Sequence, residues 1–568
     1  MIDPRRIPGV RMLLGYRRAQ LIPDLGAAVA VTALMIPHGM AYAELGGTPA
    51  VTGLYTTVAA VLAYAVFGPS RHLLLGPDSS LAPLIAAAIS LVLADGSPAD
   101  AIAIAGVLAL MTGALCWLVG MLRLGYVAEL LSRPVQVGYL NGLAIIMVCS
   151  QAAKLCGFSA GGETVPVILD GFFTGLSNNL LNGWALTVGL AALAVILVVA
   201  RNWPRVPGVL IAVLGAIVAV EAFDLVAEGV PVVGEIPTGF PSPSIPSVDR
   251  ADLWPLFLAS LGLTWVTLTD TTALSRGIAS RDGDRVDPNA EIKALGVSNA
   301  AAGLFQGFPI SASTSRTATS QASGGTSQMV GVISAAFVLL LLLVGAGAIE
   351  SLPGSALAAV VIAAAIHLFD HREMVWLFAA RRSEFWLCVA AITGVVLLGV
   401  LNGILVAVAL SLVNFVRRLW RPYDAVLGRI EKRRGYHDVD RNPDAREVPG
   451  LVLFRFDAPL FFANAEHFVR RIQEIVAESD QPIERIVVAA EPITDIDTTG
   501  AQVLEQLLDE LDEAGIELGF AELKGPVRDR LEKYGLADRA LRLNDPTVGR
   551  AVSRYLRDYG VAWQDWTD

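Results

Sequence analysis

The sequence predicts a membrane-embedded all-α domain followed by a smaller, soluble α/β domain. Three observations predict it: the composition, the uneven distribution of charge and a succession of long apolar segments. Of the 568 residues, 54% are apolar and 17% are charged, whereas about 25% of the residues of a soluble protein are charged. Residues 1–422 carry a net charge of −1 and residues 423–568 a net charge of −10. This composition argues against a nucleic-acid-binding protein, a disordered chain and a secreted disulfide-bonded domain.

Long segments of low charge indicate helices that span a membrane, because a helix needs about 20 apolar residues to cross the hydrocarbon core. Two weaker segments, 79–94 and 313–322, begin with serine and threonine clusters that follow a proline. Together with the stronger segments they predict fourteen spans within one domain of residues 1–422. The stronger segments are 24–45, 52–67, 99–121, 134–153, 184–200, 207–222, 254–275, 289–305, 329–350, 354–369, 384–399 and 401–416.

The distribution of basic residues predicts the orientation, since cytoplasmic loops carry an excess of lysine and arginine. With the N-terminus inside, alternate connections are basic, and the loops that face outside contain only Lys154 and Arg250. An even number of spans places both termini in the cytoplasm. The arginines that support this orientation are Arg5, Arg6, Arg11, Arg17, Arg18, Arg71, Arg123, Arg201, Arg205, Arg276, Arg281, Arg285, Arg372, Arg381, Arg382, Arg417, Arg418 and Arg421.

Two polar clusters, separated by seven predicted spans, are candidates for a binding site. Ser79 and Ser80 follow a Gly-Pro-Asp sequence at the start of the third span, and residues 313–316 follow Pro309 at the start of the tenth. An inverted pair of seven-span repeats would place the clusters in equivalent positions with opposite orientation. Because proline cannot continue a preceding helix, each segment should enter the membrane extended and become helical midway.

The residue types of these clusters suit a small oxyanion. Two helix N-termini present unpaired N–H groups and the positive ends of two helix dipoles. Hydroxyl donors and one fixed positive charge would add to them. The alternative is that the serines and threonines only cap helices or pack between spans. The candidate residues are Ser79, Ser80, Ser313, Thr314, Ser315 and Arg316.

Three further polar residues are predicted to lie within spans. Asp270 falls in the middle of the eighth span, where an ionisable residue predicts a functional role; the alternative is a structural salt bridge with Arg316. His38 follows a proline in the first span and is a candidate anion ligand or proton carrier; the alternative is a histidine that only satisfies a hydrogen bond. Tyr42 lies one turn later on the same face and is a candidate wall of the same cavity. The cysteines form no CxxC pair and have no histidine at ligand spacing, so neither a metal site nor a disulfide is predicted. They are Cys116, Cys149, Cys156 and Cys388.

The C-terminal region is predicted to be a linker over residues 423–447 and an α/β domain over residues 448–560. Strands at 451–456, 486–490 and 517–521 alternate with helices at 466–478 and 503–514. Thr498 and Thr499 lie where a strand passes into a helix, so either is a candidate helix cap or a phosphorylation site. No Walker loop, GxSxG or HExxH motif is present, and the chain is therefore not expected to be an enzyme.

The chain resembles the sulfate permease (SulP) family of anion transporters over nearly its whole length. The motifs that carry the resemblance are residues 37–43, residues 308–318 with Ser-Arg-Thr-Ala at 315–318, the glycine- and proline-containing run 234–241, and a region like a STAS domain. In that region Asp-Thr-Thr-Gly at 497–500 replaces the usual Asp-Ser-Ser-Gly. The resemblance implies two intertwined seven-span repeats, a core domain (spans 1–4 and 8–11), a gate domain (spans 5–7 and 12–14), elevator-type alternating access and homodimers.

The resemblance also implies which residues form the site. The anion would lie between two helix ends, Ser79–Leu81 and Ser313–Arg316. Ser80 and Leu81 belong to the first of these ends. Asp270 matches an acidic residue associated with proton or sodium coupling in bacterial members, and sodium would involve Asp270 and Thr314. His38 replaces the glutamine that is common in the family, and an imidazole can gain charge near pH ~6.5.

The expected function is secondary active transport of a small inorganic oxyanion, sulfate first, with a proton as the coupling ion. The alternatives are a sodium-coupled bicarbonate transporter, a C4-dicarboxylate transporter, an uncoupled anion channel, and a membrane-tethered sensor whose STAS domain binds cytoplasmic regulatory proteins. No cofactor other than the coupling ion is expected, and nucleic acid is not expected as a partner.

Overall fold

The computed structural model describes residues 8–93, 97–125, 132–203, 206–282 and 286–563. The chain divides into two compact units, Met1–Ser411 and Leu412–Asp568. Four of the arginines used to orient the chain (Arg5, Arg6, Arg205 and Arg285) lie outside the described residues.

The first unit is helical, and each of the fourteen predicted segments coincides with one of its helices. Seven of the described helices are long and apolar enough to cross a membrane, by length and composition alone. Helices α1, α7 and α15 were not predicted as spans. The helices are α1 (Pro8–Leu14), α2 (Leu21–Leu45), α3 (Ala50–Phe67), α4 (Ala82–Ser90), α5 (Pro98–Met121), α6 (Arg133–Leu155), α7 (Val165–Ser177), α8 (Gly183–Asn202), α9 (Gly208–Ala222), α10 (Leu253–Asp282), α11 (Pro288–Leu304), α12 (Thr314–Ala322), α13 (Met329–Val344), α14 (Gly354–Leu368), α15 (His371–Ala380), α16 (Arg382–Leu398) and α17 (Val400–Trp420).

Glycine allows α5 and α11 to touch backbone to backbone. A Cβ on Gly113 would lie 2.7 Å from the carbonyl oxygen of Gly296, and a Cβ on Gly296 would lie 2.7 Å from the carbonyl oxygen of Gly113. Gly303 of α11 approaches Gly106 of α5 in the same way. Small residues permit such close helix packing in membranes, where van der Waals contact is a main source of association.

The first unit also contains two short strands that pair with each other. Strand β1 (Leu75–Gly76) pairs antiparallel with β2 (Ser311–Ala312), in the register Leu75↔Ala312 and Gly76↔Ser311. Each strand leads into a short helix, β1 into α4 and β2 into α12. The prediction that both segments are extended before they become helical is confirmed.

Buried amide side chains satisfy the extended backbone around these strands. Asn299 of α11 accepts from the Ile310 amide at 2.9 Å and donates to the Ile310 carbonyl at 3.2 Å. Gln328 donates to the carbonyl oxygens of Ser70 and Leu73, both at 2.8 Å. Non-helical backbone is tolerated within a membrane only where protein covers it or it lines a cavity, and these amides supply that cover.

The second unit is a six-stranded sheet with helices, in the strand order β4-β3-β5-β6-β7-β8. Strands β5 to β8 are parallel to one another, and β3 is antiparallel to both β4 and β5. The predicted alternation of strands and helices is therefore present. The elements are β3 (Asp424–Arg429), β4 (Tyr436–Asp438), β5 (Leu451–Phe456), α18 (Ala465–Glu478), β6 (Arg485–Ala489), α19 (Thr498–Glu513), β7 (Glu517–Ala521), α20 (Gly525–Lys533), α21 (Ala537–Ala540), β8 (Asn544–Asp545) and α22 (Val548–Tyr559).

Residues 423–447 differ from the expected linker, because β3 and β4 lie within them. Ala425 and Leu427 are buried at alternate positions of β3, and Val426 pairs with Phe454 of β5. Arg429 is buried too, and it donates to the Gly435 carbonyl at 2.7 Å. The charged residues around these few apolar positions dominate the local composition, so the strand pattern is too short to recognise in the sequence.

Candidate functional site

The starts of α4 and α12 are brought together by the β1–β2 pair. The amides of Leu81 and Ala82 donate to the Asp78 carbonyl, which forms the first turn of α4. Ser313 is the N-cap of α12, and its hydroxyl accepts from the Arg316 amide. Leu81 and Ser313 are buried, whereas Thr314 is exposed. The two predicted clusters are thus neighbours in space, each at a helix N-terminus.

Arg316 links the two helix starts through its guanidinium. The residue is 2% exposed. Its Nη2 donates to the carbonyl oxygen of Pro77, which lies between β1 and α4. Its Nη1 is buried and has no hydrogen-bond partner among the described residues. An unpaired buried donor of this kind costs about 1–3 kcal/mol or more when charged, so Nη1 is the group in this site that most needs an acceptor.

Gly76 leaves the room that the guanidinium occupies. Its φ is +148°, and a Cβ at this position would lie 2.5 Å from Arg316 Nη1. We expect Gly76→Ala to destabilise the protein by about 1–3 kcal/mol, because it adds a clash to a strained backbone conformation. A lower melting temperature of the purified protein checks this. Gly26→Ala is the matched control, since no atom lies within 4 Å of the Cβ it would add; equal melting temperatures for the two variants would contradict the prediction.

Asp270 contacts the start of α4 rather than Arg316. Its Oδ2 lies 2.8 Å from the Ser80 hydroxyl oxygen, which is also 2.9 Å from Asp78 Oδ1. The next residue of α10, Thr271, accepts from the Ala312 amide of β2 at 3.2 Å. No ion pair joins Asp270 to Arg316 among the described residues, so the salt bridge considered as an alternative is not present in this conformation.

Asp78 is a site residue that the sequence reasoning missed. Its Oδ1 accepts from the Ser80 amide at 3.0 Å in addition to its contact with the Ser80 hydroxyl. The signal was available, because Asp78 stands between Pro77 and Ser79 at the start of a predicted span. The sequence prediction included the neighbouring serine hydroxyls but not this carboxylate.

His38 and Tyr42 lie together on α2, with their ring centroids 5.5 Å apart. Pro37 lies inside α2, which continues from Leu21 to Leu45. His38 Nδ1 lies 2.8 Å from the Leu34 carbonyl oxygen. Because a carbonyl only accepts, Nδ1 carries a hydrogen and Nε2 is left to interact elsewhere. The Tyr42 hydroxyl is within interaction range of Ser79 and Arg316.

The hydroxyls of the α12 start are the most accessible part of the candidate site. Thr314 and Ser315 are exposed, and the Ser315 hydroxyl lies 3.3 Å from that of Ser313. Ser79 is half-buried at the start of α4. Within the described ranges, no group of three or more His, Cys, Asp or Glu residues could hold a metal ion.

In the second unit, Asp497 caps α19, so the expectation that Thr498 or Thr499 is the cap is wrong. Asp497 Oδ1 accepts from the Gly500 amide at 2.7 Å, and Oδ2 accepts from the Phe462 amide at 3.0 Å. A carboxylate accepts more strongly than a hydroxyl from backbone amides, and it also interacts favourably with the helix dipole. Thr498 and Thr499 are exposed on the first turn, as a phosphorylation site would require.

Two protein families match the chain. Residues 21–391 match the sulfate permease family, and residues 442–551 match the STAS domain. A "probable sulfate transporter" of Mycobacterium tuberculosis (strain H37Rv) is 39% identical over 532 residues, which is 94% of each chain. The chloroplastic sulfate transporter 4.1 of Arabidopsis thaliana is 28% identical over 552 residues, covering 94% of this chain and 79% of its own length.

Solved structures share the fold. Murine solute carrier 26 family member A9, in the inward-facing state, superposes with a TM-score of 0.88 at 21% identity over 97% of this chain and 94% of that one. The transmembrane domain of the cyanobacterial bicarbonate transporter BicA gives a TM-score of 0.60 at 20% identity, over 70% of this chain and 98% of that one.

The matches agree with a multi-pass membrane transporter that is not an enzyme. The family match covers most of the first unit and both helix starts of the candidate site. The second match lies within the α/β unit and begins after β3 and β4. The chain belongs to the sulfate permease family and carries a C-terminal STAS domain.

Proposed function

We propose that the protein transports sulfate across the bacterial inner membrane as a secondary active transporter coupled to protons. The observation that carries the proposal is the buried Arg316 guanidinium, whose Nη1 lacks a partner between two helix N-termini. The relatives named as sulfate transporters support sulfate as the anion.

The site would bind a tetrahedral oxyanion through donors from both helices. The hydroxyls of Ser79 and Ser315, at the starts of α4 and α12, and Arg316 Nη1 are the available donors. Charge-assisted hydrogen bonds contribute about 1.5–3 kcal/mol each, and several are needed to replace the hydration of a divalent anion.

Uptake into proteoliposomes tests this proposal. Radiolabelled sulfate and bicarbonate would be supplied in parallel, each with a proton gradient, a sodium gradient or no gradient. The proposal expects saturable sulfate uptake that an inward proton gradient drives above equilibrium. Uptake of bicarbonate alone, accumulation driven only by sodium, or a non-saturating conductance would overturn it.

We further propose fourteen spans arranged as two inverted repeats, with the termini in the cytoplasm and an elevator movement of a core domain against a gate domain. The pairing of β1 with β2, which precede α4 and α12 in opposite directions, supports the inverted arrangement. The STAS domain is proposed to contribute to a homodimer and to bind cytoplasmic regulatory proteins.

One ion pair crosses the proposed boundary between core and gate. Lys154 at the end of α6 lies 3.5 Å from Glu44 at the end of α2. We expect a reducible bifunctional thiol reagent that links Glu44→Cys to Lys154→Cys to abolish sulfate uptake, because α2 must move against α6. The measurement is uptake before and after reduction, with each single-cysteine variant as a control. Full uptake by the linked protein would argue against movement at this boundary.

His38 is expected to make transport depend more steeply on pH. Its Nδ1 is held by the Leu34 carbonyl, so protonation would place a positive charge at Nε2. We expect the sulfate uptake of His38→Gln to vary less with pH than that of the wild type, because glutamine, unlike histidine, has no titratable nitrogen. Initial rates measured at fixed proton gradient check this. Superimposable pH profiles would remove His38 from the mechanism.

A further inference from the structure

The Ser80 hydroxyl has one hydrogen and two carboxylate neighbours. Its oxygen lies 2.8 Å from Asp270 Oδ2 and 2.9 Å from Asp78 Oδ1. Both are hydrogen-bond distances for O–H···O contacts. A hydroxyl can donate only once, so it cannot bond to both carboxylates while both are ionised. One of the two contacts must contain an additional hydrogen.

The remaining contacts indicate which carboxylate carries that hydrogen. Asp78 Oδ1 accepts the Ser80 amide as well, at 3.0 Å, which is the arrangement of an ionised carboxylate that receives two donors from one residue. Among the described residues, Asp270 has no hydrogen-bond contact other than the Ser80 hydroxyl. Donation from Asp270 Oδ2 to Ser80 Oγ, and from Ser80 Oγ to Asp78 Oδ1, satisfies every contact with one proton.

Asp24 shows how a buried aspartate is satisfied without a proton. It is 0% exposed. Its Oδ1 accepts from the Thr326 amide at 2.6 Å and the Thr326 hydroxyl at 3.0 Å, and its Oδ2 accepts from the Ser327 hydroxyl at 2.6 Å. Three donors serve this one carboxylate, whereas Asp78 and Asp270 together receive two hydrogens from Ser80.

The titratable groups around the pair come from several elements. Tyr139 of α6 is within electrostatic range of Asp270, and Arg316 of α12 and Tyr42 of α2 are within range of Asp78. His38 of α2 is in turn within electrostatic range of Arg316. The helices α5 and α11, which also pack on α10, carry Cys116, a buried thiol, and Glu291, which is engaged by Tyr64 and Ser70.

We infer that Asp78 and Asp270 form a carboxylate pair, joined by the Ser80 hydroxyl, that holds one proton on Asp270 Oδ2. Resting on the proposed function, this proton is the coupled ion, and Asp78 is the second acidic residue of the coupling site. Loss of the proton leaves two carboxylates competing for one hydroxyl hydrogen. Ser80 must then release one of them, and since Ser80 lies at the start of α4, the protonation of Asp270 changes one wall of the anion site.

Infrared spectroscopy of the full-length protein in liposomes detects the proton without any transport. Aspartate labelled with carbon-13 identifies the C=O stretch of a protonated aspartic acid and excludes a contribution from glutamates such as Glu291. We expect the labelled band near neutral pH in the wild type, its loss in Asp270→Asn, and its loss in Asp78→Asn, where Asp270 no longer competes for the hydroxyl. Asp24→Asn, the matched control, should keep the band.

Each outcome decides the inference. Absence of the band from the wild type, or its survival in Asp270→Asn, would overturn the assigned proton. Survival in Asp78→Asn would overturn the role of Asp78. If Asp270→Asn does not fold, Asp270→Glu retains the acid but loses the isotope shift. A wild type that shows the band yet carries no sulfate would count against the proposed function and leave the carboxylate pair established.

Discussion

Replacing Arg316 with glutamine is expected to weaken sulfate binding by about 10- to 100-fold, the effect of losing one charge-assisted hydrogen bond of about 1.5–3 kcal/mol. The substitution removes the positive charge and the unpartnered Nη1 donor together. Glutamine is chosen because it removes the charge but keeps a polar amide in place of the guanidinium. The folded structure should therefore survive while the anion loses its cationic partner.

Sulfate-dependent thermal stabilisation of the purified protein measures this loss, and initial rates in proteoliposomes measure its effect on transport. Arg201→Gln is a suitable control, because Arg201 is an exposed arginine in the last turn of α8. Unchanged sulfate binding by Arg316→Gln would mean that the guanidinium serves only to join α12 to the segment before α4.

Asp270→Asn is expected to abolish accumulation of sulfate against its gradient while leaving exchange of internal for external sulfate. Asparagine keeps the shape of the side chain and can bond to the Ser80 hydroxyl, which lies 2.8 Å from Asp270 Oδ2, but it cannot release a proton. The accumulation ratio under an inward proton gradient should therefore fall to the value measured without a gradient.

The paired assays are uptake driven by a proton gradient and counterflow without one, both on the same proteoliposomes. Asp252→Asn is the matched control, since Asp252 immediately precedes α10 and makes the same change of charge outside the site. Intact accumulation by Asp270→Asn would reduce Asp270 to a structural hydrogen-bonding residue.

The helices and the extended entries to α4 and α12 follow from local sequence signals. Apolar length marks the helices, and Pro77 and Pro309 mark the points at which a helix cannot extend backwards. Helix α7 was not predicted because its 13 residues are too few for a span. Strand β3 was not predicted because its partner β5 is distant in sequence. Strand pairing depends on such contacts more than on local preference.

The candidate site could be predicted as a set of residues but not as a set of contacts. Ser79, Ser313 and Arg316 are marked by their position after proline, yet nothing in the sequence states that Arg316 reaches Pro77. The competition of two aspartates for Ser80 joins residues 190 positions apart. Contacts of this kind depend on how α10 packs against α4, and the hydrophobic periodicity of the sequence does not indicate that packing.

The antiparallel pairing of β1 with β2 has a mechanical consequence. The hydrogen bonds between Leu75–Gly76 and Ser311–Ala312, together with the hydrogen bond from Arg316 to the Pro77 carbonyl, join the two helix starts of the candidate site to each other. A transporter that opened by separating these helix starts would have to break those hydrogen bonds in every cycle. The pairing favours instead a site that keeps its shape and moves as one body. The surrounding helices would then decide to which side of the membrane the site is open.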